Sequence, residues 1–91
     1  MSKVTMYASR TCPYCDAAEE LLRQKGVEVE KIMVDTDPGL KAKMMEITGR
    51  RTVPQIFIGK RHVGGYDDLA KLSAQGLLTD LLQQEGVAHG Q

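Results

Sequence analysis

The sequence predicts a small α/β domain, a mixed four-stranded sheet in the order βαβαββα with helices on both faces. Three observations carry this expectation. Short runs of strand character occur near residues 3–8, 27–34 and 55–64, segments with three-and-four apolar spacing lie between and after them, and the first two strands are joined by a helix, as a parallel crossover requires. With 91 residues the chain is expected to form one domain, its core over about residues 3–85 and its tail, residues 86–91, flexible.

Lys3 to Ala8 alternates, with Val4, Met6 and Ala8 on one face and Thr5 and Tyr7 on the other, as a strand does. Pro13 opens a helical pattern through Tyr14, Ala18, Leu21, Leu22 and Lys25, and Gly26 stops it. Val27 to Val34 is β-branched and reads as a second strand, although its apolar phase slips at Glu30-Lys31, the mark of a bulge or of a late start. Asp37-Pro38 supplies an N-cap and a first-turn proline to a second helix with a stripe of Leu40, Met44, Ile47 and Thr48, ended by Gly49. Gln55 to Ile58 and Arg61 to Gly64 flank Gly59-Lys60, a two-residue connection suited to a type II′ hairpin. After Gly64-Gly65, leucines at 69, 72, 77, 78, 81 and 82 follow helical spacing, broken near Gly76.

Composition narrows the function. Hydrophobic residues at 42% and charged residues at 26% are ordinary globular usage, and twelve basic side chains balance twelve acidic ones. This balance argues against nucleic-acid binding or membrane coating driven by bulk charge. The segment 41–61 is locally basic, with Lys41, Lys43, Arg50, Arg51, Lys60 and Arg61 against Glu46 alone. The first residues have no apolar run of the kind a secretory signal needs, so a cytosolic protein is expected.

Cys12 and Cys15 stand three apart. A disulfide closing so short a loop removes only about 2 kcal/mol of unfolded-chain entropy, a weak staple, so the pair points to chemistry. Cys12 falls where the first strand turns into the first helix, beside amides that have no intrahelical partner. Cysteines at such helix starts titrate at roughly 3.5 to 7.5 instead of about 8.5. Arg10 reinforces the thiolate, whereas Asp16, Glu19 and Glu20 oppose it. A thiol pKa lowered by about three raises the thiolate fraction about thirtyfold at pH 7 but costs about 15 to 30-fold in nucleophilicity. The gain is in Cys12 as a leaving group, and Cys15, one turn on, is placed to resolve a mixed disulfide. Zinc would need two further ligands, and the histidines, His62 and His89, are spaced unlike any compact zinc module. His62, in a predicted strand, and His89, in the tail, are expected to have surface or packing roles.

Three separated motifs, Cys12-Pro13-Tyr14-Cys15, Thr52-Val53-Pro54 and Gly64-Gly65-Tyr66-Asp67-Asp68, together resemble those of dithiol glutaredoxins, and the likeness spans roughly residues 3–85. The resemblance implies a thioredoxin-like fold, Cys12 and Cys15 as catalytic cysteines, a cis bond before Pro54, and glutathione as reductant with no tightly bound cofactor. It also implies contacts to glutathione from Tyr14, from the Thr52, Val53 and Pro54 backbone, and from Gly65, Tyr66, Asp67 and Asp68. Arg51, or Arg50, suits the glycyl carboxylate. Many glutaredoxins carry a lysine three residues before the first cysteine. This chain has Ser9 there, which leaves open whether Arg10 reaches the ligand or only tunes the thiolate.

The resulting expectation is a monomeric enzyme that reduces protein disulfides and glutathione mixed disulfides and maintains cell redox homeostasis. The sequence has no dinucleotide fingerprint, so NADPH would supply it through a separate glutathione reductase. Direct reduction by thioredoxin reductase is one alternative. An iron-sulfur cluster held across a dimer by Cys12 and glutathione is another, disfavoured by Pro13 and the second thiol.

Overall fold

Strand β1, Val4–Ala8, runs through the sheet with a parallel neighbour on one side and an antiparallel one on the other. Residues 3–90 are described in the computed structural model. β2 (Val29–Met33) pairs with β1 in continuous register, Val4 opposite Val29 and Ala8 opposite Met33. β3 (Gln55–Ile58) runs antiparallel on the other side, and β4 (Arg61–Gly64) closes the sheet order β2-β1-β3-β4. The helices are α1 (Pro13–Gln24), α2 (Pro38–Thr48), α3 (Tyr66–Ala74) and α4 (Leu78–Gln84). This is the expected mixed α/β architecture, with the last helical region split at Gly76.

The period of two in β1 divides the core. Val4, Met6 and Ala8 pack with Ile56 and Ile58 against Ala18 and Leu22 of α1, Leu69 of α3 and Leu78 and Leu82 of α4. Tyr7 points the other way, into a smaller cluster with Val34 and Met44 of α2, flanked by Leu40 and Phe57. Each fully buried leucine contributes about 1.5 to 3 kcal/mol of transfer free energy, so the larger face dominates the stability. Gly59 carries a φ of 59° at the first position of the β3-β4 connection, and among the described residues no non-glycine has a positive φ. Both facts match the type II′ turn.

Several boundaries differ from the sequence expectation. The second strand begins at Val29 instead of Val27, because the Val27 N–H donates to the Leu22 carbonyl at 3.1 Å and its side chain is buried with α1. The phase slip at Glu30-Lys31 is therefore a late start on an edge strand. The register irregularity of the sheet lies between Ile56 and Phe57, opposite β4. Ile47 and Leu77, both read as part of apolar stripes, are 45% and 46% exposed. Of α2 only Met44 is fully covered, because its short stripe meets a single small cluster. Beyond Gly86, Val87 is buried in the main core and the Gly90 N–H donates to the Lys25 carbonyl at 2.8 Å.

Candidate functional site

Cys12 is the N-cap of α1, with an extended backbone (φ −130°, ψ 97°) and Pro13 in the first helical position, where its missing N–H costs nothing. The Cys12 sulfur accepts a hydrogen bond from the Cys15 N–H at 3.1 Å, and the Cys12 carbonyl accepts from the Asp16 N–H at 3.2 Å. The first turn thus directs an amide at the sulfur, one that the Cys12 carbonyl also accepts from at 3.1 Å. Cys12 and Cys15 form a disulfide, their Cα atoms 5.2 Å apart, and both are buried.

The loop before β3 approaches from the opposite side. The Val53-Pro54 peptide is cis, and the Val53 carbonyl oxygen lies 3.8 Å from the Cys12 sulfur. Gly65 caps α3, and its N–H donates to the Asp68 carboxylate at 2.9 Å, a hydrogen bond that leaves Asp68 three residues into the helix with its charge at the positive end. Arg50 reaches the same oxygen at 3.2 Å. The Gly65 N–H foremost, with Arg50 adding to it, holds the Asp68 carboxyl below the usual carboxylate range against the opposing effect of burial. Arg50 is itself placed by Thr48, whose hydroxyl donates to the Met44 carbonyl at 2.7 Å and accepts from the Arg50 N–H at 3.0 Å.

A cavity of about 280 Å³ lies beside this junction, lined by Tyr14, Arg50, the Thr52-Val53-Pro54 loop, and Gly65 to Asp68. Tyr14 and Tyr66 face each other at 5.9 Å between ring centroids, and Tyr14 is 63% exposed. The lining therefore combines a guanidinium, two carboxylates, helix-start amides, exposed loop backbone and two aromatic rings, a set that suits a small zwitterionic peptide with more than one carboxylate.

Ten of the twelve residues singled out from sequence come together here: Cys12, Cys15, Tyr14, Thr52, Val53, Pro54, Gly65, Tyr66, Asp67, and Asp68 as the partner of Arg50. Arg51 does not line the cavity; its neighbour Arg50 does. Arg10 faces away. Its backbone N–H and its Nε both donate to Asp35 at 3.1 Å, and it borders a separate cavity with Cys15, Asp16, Glu19 and Lys31. The Arg10 backbone N–H foremost holds the Asp35 carboxyl below its ordinary range. That pairing offsets the charge Arg10 was expected to lend the thiolate. Asp35 was not foreseen, because it meets Arg10 only through the parallel pairing of β1 and β2.

Among the described residues no three His, Cys, Asp or Glu side chains converge as a metal site, and no helix is long and apolar enough to cross a membrane.

Comparison with known proteins agrees with this geometry. The protein-family model described as Glutaredoxin matches residues 4–63. A glutaredoxin of Neisseria meningitidis serogroup A is 48% identical over 83 residues, covering 90% of this chain and 98% of that protein. Glutaredoxin 3 of Escherichia coli K12 is 45% identical over 91% of this chain and all of its own. Among solved structures, the buckwheat glutaredoxin-glutathione complex superposes with a TM-score of 0.86 at 29% identity, covering 94% of this chain and 81% of that one. The solution structure of Brucella melitensis glutaredoxin gives 0.82 at 46% identity, covering 97% and 95%.

Proposed function

The chain belongs to the glutaredoxin family and is a thiol-disulfide oxidoreductase; on that premise we propose that glutathione occupies the cavity beside Cys12 and that the two cysteines divide the reaction between them. The observation that carries the proposal is the Cys12 sulfur, which accepts an N–H at the start of α1 and stands 3.8 Å from the Val53 carbonyl of the cavity's wall. The buckwheat relative, solved as a complex with glutathione, supports the choice of ligand.

With a glutathionylated substrate, the Cys12 thiolate attacks the glutathione sulfur, and the substrate thiol leaves and takes up a proton. A second glutathione thiolate then attacks the glutathione sulfur bound to Cys12, releasing oxidised glutathione and restoring the thiolate. With a protein disulfide, Cys12 forms a mixed disulfide with the protein, and the Cys15 thiolate attacks the Cys12 sulfur. The reduced protein departs, and a Cys12–Cys15 disulfide like that of the structure remains. Two glutathiones reduce it.

Several groups in the cavity suit the ligand's functions. The Val53 backbone pairs with the cysteinyl backbone of glutathione as a short strand does. The helix-start amides at Asp67 and Asp68 hold the γ-glutamyl carboxylate, and Asp67, whose carboxylate Arg50 does not engage, meets the ammonium. Arg50 is the better placed partner for the glycyl carboxylate, with Arg51 and Arg10 outside the lining. No cofactor is held tightly in this scheme. The protein acts as a cytosolic monomer, and NADPH supplies electrons through a separate glutathione reductase.

Assay of two serine variants against both substrate types tests the division of labour. Cys12→Ser loses all turnover. Cys15→Ser keeps activity on glutathione mixed disulfides and loses it on protein disulfides. Equal loss in the two variants contradicts the proposal.

A further inference from the structure

Gln55 is the one polar side chain among the described residues that is wholly buried, and both ends of its amide are engaged. Its Nε2 lies 3.0 Å from the Thr52 carbonyl oxygen and 3.4 Å from the Thr52 hydroxyl; its Oε1 lies 2.8 Å from His62 Nε2. The direction of this chain is fixed by what each atom can do. A backbone carbonyl only accepts, so the amide nitrogen must face Thr52, which turns Oε1 toward the ring. Oε1 also only accepts, so His62 Nε2 must carry a hydrogen.

The ring has its own support. Gln55 and Phe57, two apart in β3, share a face, and His62 is the register partner of Phe57 in β4. His62 stacks on Phe57 at 4.9 Å between centroids with 29° between planes. Burial foremost, and then the Arg50 guanidinium, push the His62 pKa down against the opposing pull of Asp68, which keeps the ring neutral at pH 7. Protonation at Nδ1 would leave the Nε2–H in place, so the link survives mild acid.

We propose that His62 is a positioning residue for the reaction: through the buried amide of Gln55 it holds the Thr52 carbonyl and so fixes the Thr52-Val53-Pro54 backbone in its place against Cys12. A neutral hydrogen bond inside a low-dielectric face is strong and directional, and Gln55 without its ring partner has an unpaired buried acceptor that it can satisfy only by turning away from Thr52. The consequence for the substrate rests on the loop being a glutathione contact, as proposed above.

The test combines loop geometry with kinetics. His62→Phe keeps the stack on Phe57 and removes the donor, whereas His62→Gln keeps a donor. In the Phe variant the backbone amide resonances of Thr52 and Val53 move. Its KM for the mixed disulfide of glutathione with a small thiol rises about fivefold, while kcat changes less than about twofold. The Gln variant stays within about twofold of wild type in KM. Gln55→Met raises KM at least as much as His62→Phe, and the double variant is no worse than Gln55→Met alone, since His62 acts through Gln55. Unmoved resonances or an unchanged KM in His62→Phe, or losses that multiply in the double variant, overturn the inference. A wild-type protein that turns over no glutathionylated substrate overturns the glutathione reading, and the resonances still decide the positioning chain independently.

Discussion

Arg50 and Asp68, eighteen residues apart in sequence, meet at 3.2 Å on the wall of the cavity beside Cys12. The same Asp68 oxygen accepts the Gly65 N–H at 2.9 Å, so a single carboxylate ties the loop after α2 to the start of α3. Both side chains remain about half exposed, and solvent screens the pair, so its value lies in placement more than in energy.

Arg50→Ala therefore weakens substrate capture more than Arg51→Ala. The expected outcome in steady-state assays with a glutathione mixed disulfide is a KM increase of about fivefold for Arg50→Ala and less than about twofold for Arg51→Ala, with little change in kcat. The reverse order would assign the carboxylate contact to Arg51.

Asp68 gives a pH signature. Its folded pKa is lowered, chiefly by the Gly65 N–H, so its stabilising contribution is complete above the unfolded value of 3.8 and is lost as pH falls through the folded one. Asp68→Asn removes the charge at the helix start and costs about 1 kcal/mol or less at pH 7 after allowance for screening. Urea unfolding of the two proteins across pH 2 to 7 should show that difference closing in the acid part of the range. A constant difference throughout would mean that the carboxylate charge contributes nothing.

The double glycine separates backbone need from ligand space. Gly64 has a φ of 119°, and a Cβ there would strike the Asp68 carboxylate and come within 3.1 Å of Arg50 Nη1. Gly65 has an ordinary φ of −93°, and a Cβ would meet nothing closer than the Pro54 carbonyl at 3.6 Å. Gly64→Ala should cost about 1 to 3 kcal/mol in thermal or urea unfolding, and Gly65→Ser, a good N-cap, should stay within about 0.5 kcal/mol of wild type. Equal tolerance of both would contradict the steric account.

What the sequence disclosed follows the range of the interactions. The start of α1 at Cys12-Pro13, the hairpin at Gly59-Lys60 and the break at Gly76 are set by residues adjacent in the chain, and each was legible. The three motifs also identified the loop and the helix start that wall the cavity. Arg50 could not be told from Arg51, because only a partner eighteen residues away and the Thr48 hydroxyl select it. Arg10 beside Cys12 suggested help for the thiolate, but Asp35 engages it across two paired strands. The Gln55–His62 link depends on the register of β3 with β4, which no local pattern encodes.

Direct titration of the Cys12 thiol, followed by thiolate absorbance or alkylation rate in the Cys15→Ser protein, tests the central claim most directly. The N–H of residue 15, which that substitution leaves in place, predicts a midpoint well below about 8.5, within roughly 3.5 to 7.5. A midpoint at the value of free cysteine would contradict the account.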